Sequence, residues 1–272
     1  MLSFGVSSYF LWTVKGATVM PLVRGSGFMI HSASRTFHKY HIVTAGHVAC
    51  PVQFPRVFGD RSPGLRAIGE RHISTGLLCP SGAGSSTPVT FPTLFPQRRF
   101  INADAAILHL KNEDQAFSTI SHLGITPVDV DLQPLQFGEE LTFCGVTSTE
   151  HSANASDDNV HVEYHSINGV SHSEVGTLDY GTVIAAQADR DIDPTMCGGP
   201  VLRKSNGKCV GVIVARIGSA TVSDSPPTPD ASLLIHKPAL DLSNTPNLEK
   251  ASLRVAFISI NDFLPTYRAT EG

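Results

Sequence analysis

A chain of 272 residues, 41% of them hydrophobic, can bury a sizeable core, which excludes an intrinsically disordered protein and fits one large β domain or two small barrels. Its 20 Lys and Arg against 24 Asp and Glu leave a formal net charge of −4, so charge makes no case for nucleic acid or an anionic membrane as a partner. Cysteines 50, 79, 144, 197 and 209 are odd in number and contain no C-x-x-C pair. They argue against a disulfide framework or a zinc ribbon and for a reducing, intracellular compartment.

The Ser-rich opening and the lack of any acidic residue before Asp60 are features of organelle-targeting segments, but no arginine precedes Arg24. Phe10 to Val14, then Lys15-Gly16, then Ala17 to Met20 predict a first β-hairpin instead. Lys15 and Gly16 also break the longest apolar stretch, Tyr9 to Val23, well short of the ~20 residues of a membrane span. Further along, short β-branched and aromatic runs punctuated by Gly, Pro, Asn and Ser predict strands over Gly27–Ile30, Tyr40–Thr44, Ala105–Leu110, Glu140–Cys144, Gly176–Tyr180, Thr182–Ala185 and Cys209–Val214. A sustained 3.6-residue period is almost absent, which is the pattern of an all-β sandwich or barrel. Residues 80–92, 151–159 and 223–247 read as loops, and 112–134 as the link between two halves. The expected division is residues 1–125 and 126–272.

Three segments carry chemistry. Cys197 stands in Asp193-Pro194-Thr195-Met196-Cys197-Gly198-Gly199-Pro200, a glycine-rich turn running into a strand. Such a turn exposes one side chain and lets a substrate approach closely. His47 ends the strand-like run His41-Ile42-Val43-Thr44-Ala45-Gly46. Asp104 precedes the apolar run Ala105-Ala106-Ile107-Leu108, where a carboxylate tends to be buried and to need a donor.

In the order His, Asp, nucleophile, these segments resemble the trypsin-like (chymotrypsin-fold) peptidases, and most closely the HtrA/Deg branch. Gly25 to Ile30, Val43 to His47, Asp104 to Leu110, Gly138 and Gly145 around Leu141-Thr142-Phe143, Asp191 to Pro200, and Val255 to Ile260 carry the likeness, over about residues 19–264. The resemblance implies an all-β fold of two six-stranded antiparallel β-barrels with a catalytic cleft between them. It implies His47 as general base, Asp104 as its orienting partner and Cys197 as nucleophile. The backbone N–H groups of Thr195 and Cys197 would form the oxyanion hole, and Val214 and Arg216 would wall the substrate cleft.

Sulfur in place of the serine oxygen, as in picornavirus cysteine peptidases, remains chemically competent beside an imidazole. Thr195 replaces the glycine whose N–H points into the hole, and a β-branched residue is disfavoured there if φ must be positive. Met196 replaces an Asp or Asn, so no activation by a buried N-terminal salt bridge is expected. No PDZ-like segment follows the peptidase core. Arg216 either shapes the primary pocket, faces solvent or pairs with Asp191. Cys50 lies three residues after His47, but no clustered Cys/His spacing supports a metal site, and no cofactor is expected. Two functions follow: an endopeptidase acting on polypeptides, or a pseudopeptidase whose scaffold binds protein partners in a larger assembly.

Overall fold

A computed structural model describes residues 3–12, 18–31, 40–54, 69, 73–79, 89–92, 99–100, 104–109, 113–150, 160–178, 181–217, 239–240 and 253–265. The alternating and β-branched runs form two sheets, antiparallel except for one short pair in the second. The first contains β1 (Phe4–Trp12), β2 (Thr18–His31), β3 (Tyr40–Thr44), β4 (Ile73–Cys79), β5 (Val89–Pro92), β6 (Arg99–Phe100) and β7 (Ala105–Leu108). Its strand order is β5-β4-β1-β2-β3-β7-β6. The first hairpin lies where the sequence predicts it, with Trp12 opposite Thr18, although its turn at 13–17 is outside the described residues.

The second sheet contains β8 (Glu140–Glu150), β9 (Val160–Leu178), β10 (Gly181–Ala188), β11 (Pro200–Arg203), β12 (Cys209–Ile217), β13 (Ala239–Leu240) and β14 (Leu253–Ser259). Strands β11-β8-β9-β10-β14-β12 run antiparallel in that order, and β12 pairs back onto β11. This closes one six-strand antiparallel barrel, which removes its edges. The two-residue β13 lies outside it, parallel to the end of β12. Phe143 and Phe257, both fully buried, meet edge to face at 6.1 Å in the core.

One expectation needs correction. Residues 80–92 are not loop throughout, since β5 pairs with β4 from Cys79↔Val89 to Gly76↔Pro92. Within the stretch 112–134, Glu113–His122 forms a ten-residue helix for which the sequence reading made no prediction. Glu113 and Asp114 sit favourably in its first turn. Ala116, Phe117 and Ile120 bury one face, and Gly124 at φ +74° follows its end. Strands predicted at Gly176–Tyr180 and Thr182–Ala185 prove to be arms of one hairpin, with Gly181 opposite Leu178. The loops at 151–159 and most of 223–247 lie outside the described residues.

Beyond the helix, the chain joins both sheets by backbone pairing. Val128 N donates to Met29 O at 2.7 Å, and Asp131 N donates to Cys209 O at 2.9 Å. Arg203, buried at the end of β11, fixes the same segment: it pairs with Asp131 and with Glu139 Oε2 at 2.7 Å, and donates to the carbonyls of Gln133 and Pro134. Among the described residues no helix is long and apolar enough to cross a membrane.

Candidate active site

Strand β3 delivers His47. Its last residue, Thr44, leads through Ala45 into the single helical turn Gly46–Ala49, which places the His47 ring in the interior with no exposed surface. Antiparallel β7 starts beside it, since Thr44 pairs with Ala106, and this register brings Asp104 to the turn. The carboxylate makes two contacts with one residue: His47 N donates to Asp104 Oδ1 at 2.8 Å, and His47 Nδ1 lies 2.6 Å from Oδ2. That geometry fixes both the ring and the backbone carrying it, and it leaves Nε2 on the far edge of the ring from the carboxylate.

Cys197 closes a 3-10 turn, Pro194–Met196, on the loop between β10 and β11. Asp193 caps the turn and Pro194 opens it, a pairing suited to a helical start because proline has no N–H to satisfy. The turn is seated against the first sheet by Ser26 of β2. Ser26 N donates to Cys197 O at 2.6 Å, and Ser26 Oγ donates to Thr195 O at 2.9 Å while accepting from Val146 N at 2.8 Å. Gly198 has φ +92°, and a Cβ there would lie 2.1 Å from Ser26 O and 2.4 Å from Thr44 Oγ1. Only glycine fits, which lets the Cys197 turn press directly on the strand end that carries His47.

The electrostatics agree with this proximity. Burial pushes the Cys197 thiol well above its ordinary pKa, and the negative charges of Asp104 and Asp193 push it further. Cys197 itself has no exposed surface.

The amides of the turn face inward. Thr195 N donates to Asp193 Oδ1 (2.8 Å), Met196 N to Asp193 O (2.9 Å), Cys197 N to Pro194 O (3.1 Å), Gly198 N to Ile213 O (2.7 Å) and Gly199 N to Met196 O (3.0 Å). The two donors expected for an oxyanion hole, those of Thr195 and Cys197, are therefore both engaged within the turn in this conformation. Thr195 adopts helical backbone here rather than the left-handed region that its β-branch would resist.

Of the expected cleft residues, Val214 is buried at a register shift between β12 and β14, the kind of irregularity that re-aims a strand beside a site. Arg216 lies two residues on, half-exposed, with Nη2 3.3 Å from Asp191 Oδ2, so the pairing raised by the sequence is the one observed. Cys50 caps the His47 turn, its N–H donating to Gly46 O at 2.8 Å. Among the described residues no group of three or more His, Cys, Asp or Glu could hold a metal. Ser26 and Asp193 are the residues that sequence reasoning left without a role. Asp193-Pro194 carried a readable capping signal, whereas the Ser26 contacts span 120 or more residues and had none.

Comparison with known families finds a match over residues 25–212 to the model described as "Trypsin-like peptidase domain". The matched span contains Ser26, His47, Asp104 and Cys197. Among curated proteins no match is found.

Proposed function

The chain belongs to the family of trypsin-like peptidase domains, and from that premise we propose that it is an endopeptidase of the HtrA/Deg type with Cys197 as nucleophile. The observation that carries this reading is the double hydrogen bond from His47 to Asp104, at 2.8 and 2.6 Å, beside the Cys197 turn, whose Gly198 packs against Thr44 at the end of the strand that leads to His47. In the reaction, Cys197 Sγ bonds to the peptide carbonyl carbon while its proton passes to His47 Nε2. Asp104 steadies the imidazolium through Nδ1–H. The C–N bond then breaks, the amine leaves with the proton from His47, and water attacks the thioester to release the acid and restore the thiol.

Residues 1–125 form, in this proposal, the partner barrel that supplies His47 and Asp104, and 126–272 the barrel that supplies Cys197. A reducing compartment suits a thiol nucleophile, and Cys50, Cys144, Cys197 and Cys209 carry no disulfide. Substrates are polypeptides, and the chemistry requires no cofactor.

The conformation described here is a closed one, with a protonated thiol and inward amides. Turnover requires the Pro194–Thr195 and Met196–Cys197 peptides to turn their N–H groups outward, since one missing oxyanion donor costs ~10²–10³ in rate. A second reading, an inactive scaffold that binds protein partners, is favoured by those same inward amides and the buried thiol. Intact-mass measurement after incubation with a panel of peptide esters separates the two. An acyl adduct on wild type that is absent from Cys197→Ala supports the peptidase, and Thr195→Gly should raise its rate of formation. No adduct on either wild type or Thr195→Gly would overturn it.

A further inference from the structure

A β-strand has two hydrogen-bonding edges, and both edges of β12 can be followed residue by residue. Strand β14 takes one edge from Gly211↔Ser259 to Arg216↔Val255. The other edge is shared by three occupants in succession. Strand β11 covers it from Leu202↔Cys209 to Pro200↔Val212. The Cys197 turn follows at Ile213, which accepts from Gly198 N at 2.7 Å and donates to Gly199 O at 2.9 Å. Then β13 pairs in parallel, Arg216↔Ala239 and Ile217↔Leu240.

An extended peptide is held most simply by adding to a free strand edge. The edge of β12 beyond Ile213 runs directly out of the Cys197 turn, so it is where a polypeptide reacting at Cys197 would lie. Only Val214 and Ala215 separate the turn from β13. At ~3.3 Å per residue, the distance from Ile213 to Arg216 is roughly 10 Å, room for two or three residues of a peptide before it meets Ala239. We infer that Ala239–Leu240 is a built-in occupant of the substrate edge, a segment of this chain that blocks long polypeptides from the nucleophile until it is displaced. This inference rests on the peptidase reading for the identity of the edge.

The device is suited to displacement. The pairing is two residues long and parallel, the less stable arrangement per residue. A competing peptide that pairs antiparallel along Val214 to Ile217 would make more bonds than it replaces. Residues 218–238, which include Pro226, Pro227 and Pro229, are long enough for the crossover that a parallel pair demands.

Hydrogen exchange read by mass spectrometry tests the proposal on the full chain carrying Cys197→Ala, in which no acyl chemistry can occur. Ala239→Pro with Leu240→Pro removes the N–H that β13 can give to a β12 carbonyl and so undoes the pairing, which also withdraws the β13 carbonyl that accepts from β12. The peptide covering Arg216 and Ile217 should then exchange at least tenfold faster, with the Ile213 region unchanged. Added synthetic peptide of residues 234–244 should restore the protection. The milder Ala239→Gly with Leu240→Gly keeps the donors and should give an intermediate rate, which covers the case in which the proline variant misfolds. Equal exchange at Arg216 and Ile217 in the parent and both variants would overturn the inference. That result would leave the acyl-adduct measurement untouched, and absence of an adduct would leave the exchange result standing.

Discussion

Asp193 holds the candidate nucleophile closed in two ways, and replacing it separates them. Its Oδ1 accepts Thr195 N at 2.8 Å, and its charge is among those that keep the Cys197 thiol protonated. An N-cap hydrogen bond is worth about 1 kcal/mol, up to about 2, and one to two kcal/mol shifts a two-state equilibrium by a factor of about 5–30. Asp193→Ala should therefore raise the population with the turn opened by that factor, and removing the charge acts in the same direction by favouring thiolate. Asp193→Asn retains a capping side chain and removes only the charge. The expected order of Cys197 alkylation rates with iodoacetamide at pH 7.5, followed by peptide mass spectrometry, is wild type, then Asp193→Asn, then Asp193→Ala, with the last about 5–30-fold above the first. Alkylation of buried Cys144 and Cys209 reports whether each variant stays folded. An Asp193→Ala chain that stays folded and alkylates no faster than wild type would refute the reasoning.

Asp104→Ala leaves the His47 backbone N–H and ring Nδ1 without their shared acceptor, and at ~1–3 kcal/mol for each unsatisfied buried group the urea-derived stability should fall by about 2–6 kcal/mol. Asp104→Asn should lose less, because one acceptor oxygen remains; a loss below about 1 kcal/mol for the alanine variant would contradict the buried geometry. Stability should also decline in alkali, since burial pushes the Cys209 thiol up to about 12 and raises Cys144 and Cys197 too. The unfolded chain loses these protons above about pH 8.5 while the folded chain keeps them, so each thiol steepens the decline by up to ~1.4 kcal/mol per pH unit. Urea titrations between pH 8 and 10 should show a shallower slope for Cys209→Ala. Finally, Gly198→Ala and Gly207→Ala both force a left-handed residue, at φ +92° and +70°, but only the first meets backbone, 2.1 Å from Ser26 O. Thermal unfolding should place Gly207→Ala about 1–2 kcal/mol below wild type and Gly198→Ala well beyond that.

The strands that position the site were legible because each is a short run with its own local signature. Tyr40–Thr44 matches β3 end to end, and Asp104 stands one residue before β7 as the apolar run Ala105–Leu108 suggests. The helix at Glu113–His122 was missed because only Ala116, Phe117 and Ile120 mark its buried face, too few for a period to register over ten residues. Strand β5 was hidden by Pro88 and Pro92 within a Ser- and Thr-rich stretch, where its pairing with β4 overrides local composition. Cys197, His47 and Asp104 could be nominated from motif order, but the direction of the Thr195 and Cys197 amides could not. It depends on Asp193 as a cap and on Ser26, a residue distant in sequence, holding the carbonyls on the other side.

The segment joining the sheets has a mechanical consequence. Val128 is paired to Met29 in the first sheet and Asp129 already accepts from Cys209 N in the second, at 2.7 Å in each case, so no unpaired residue separates the two attachments. Domain hinges work by letting a few unconstrained dihedrals absorb a rotation. Here such a rotation would first have to break backbone hydrogen bonds and then drag on the Arg203 ion pairs with Asp131 and Glu139. On the peptidase reading, these attachments favour access to Cys197 by local rearrangement of the Asp193–Gly199 turn, with the proposed displacement of β13, over a rotation of one sheet against the other.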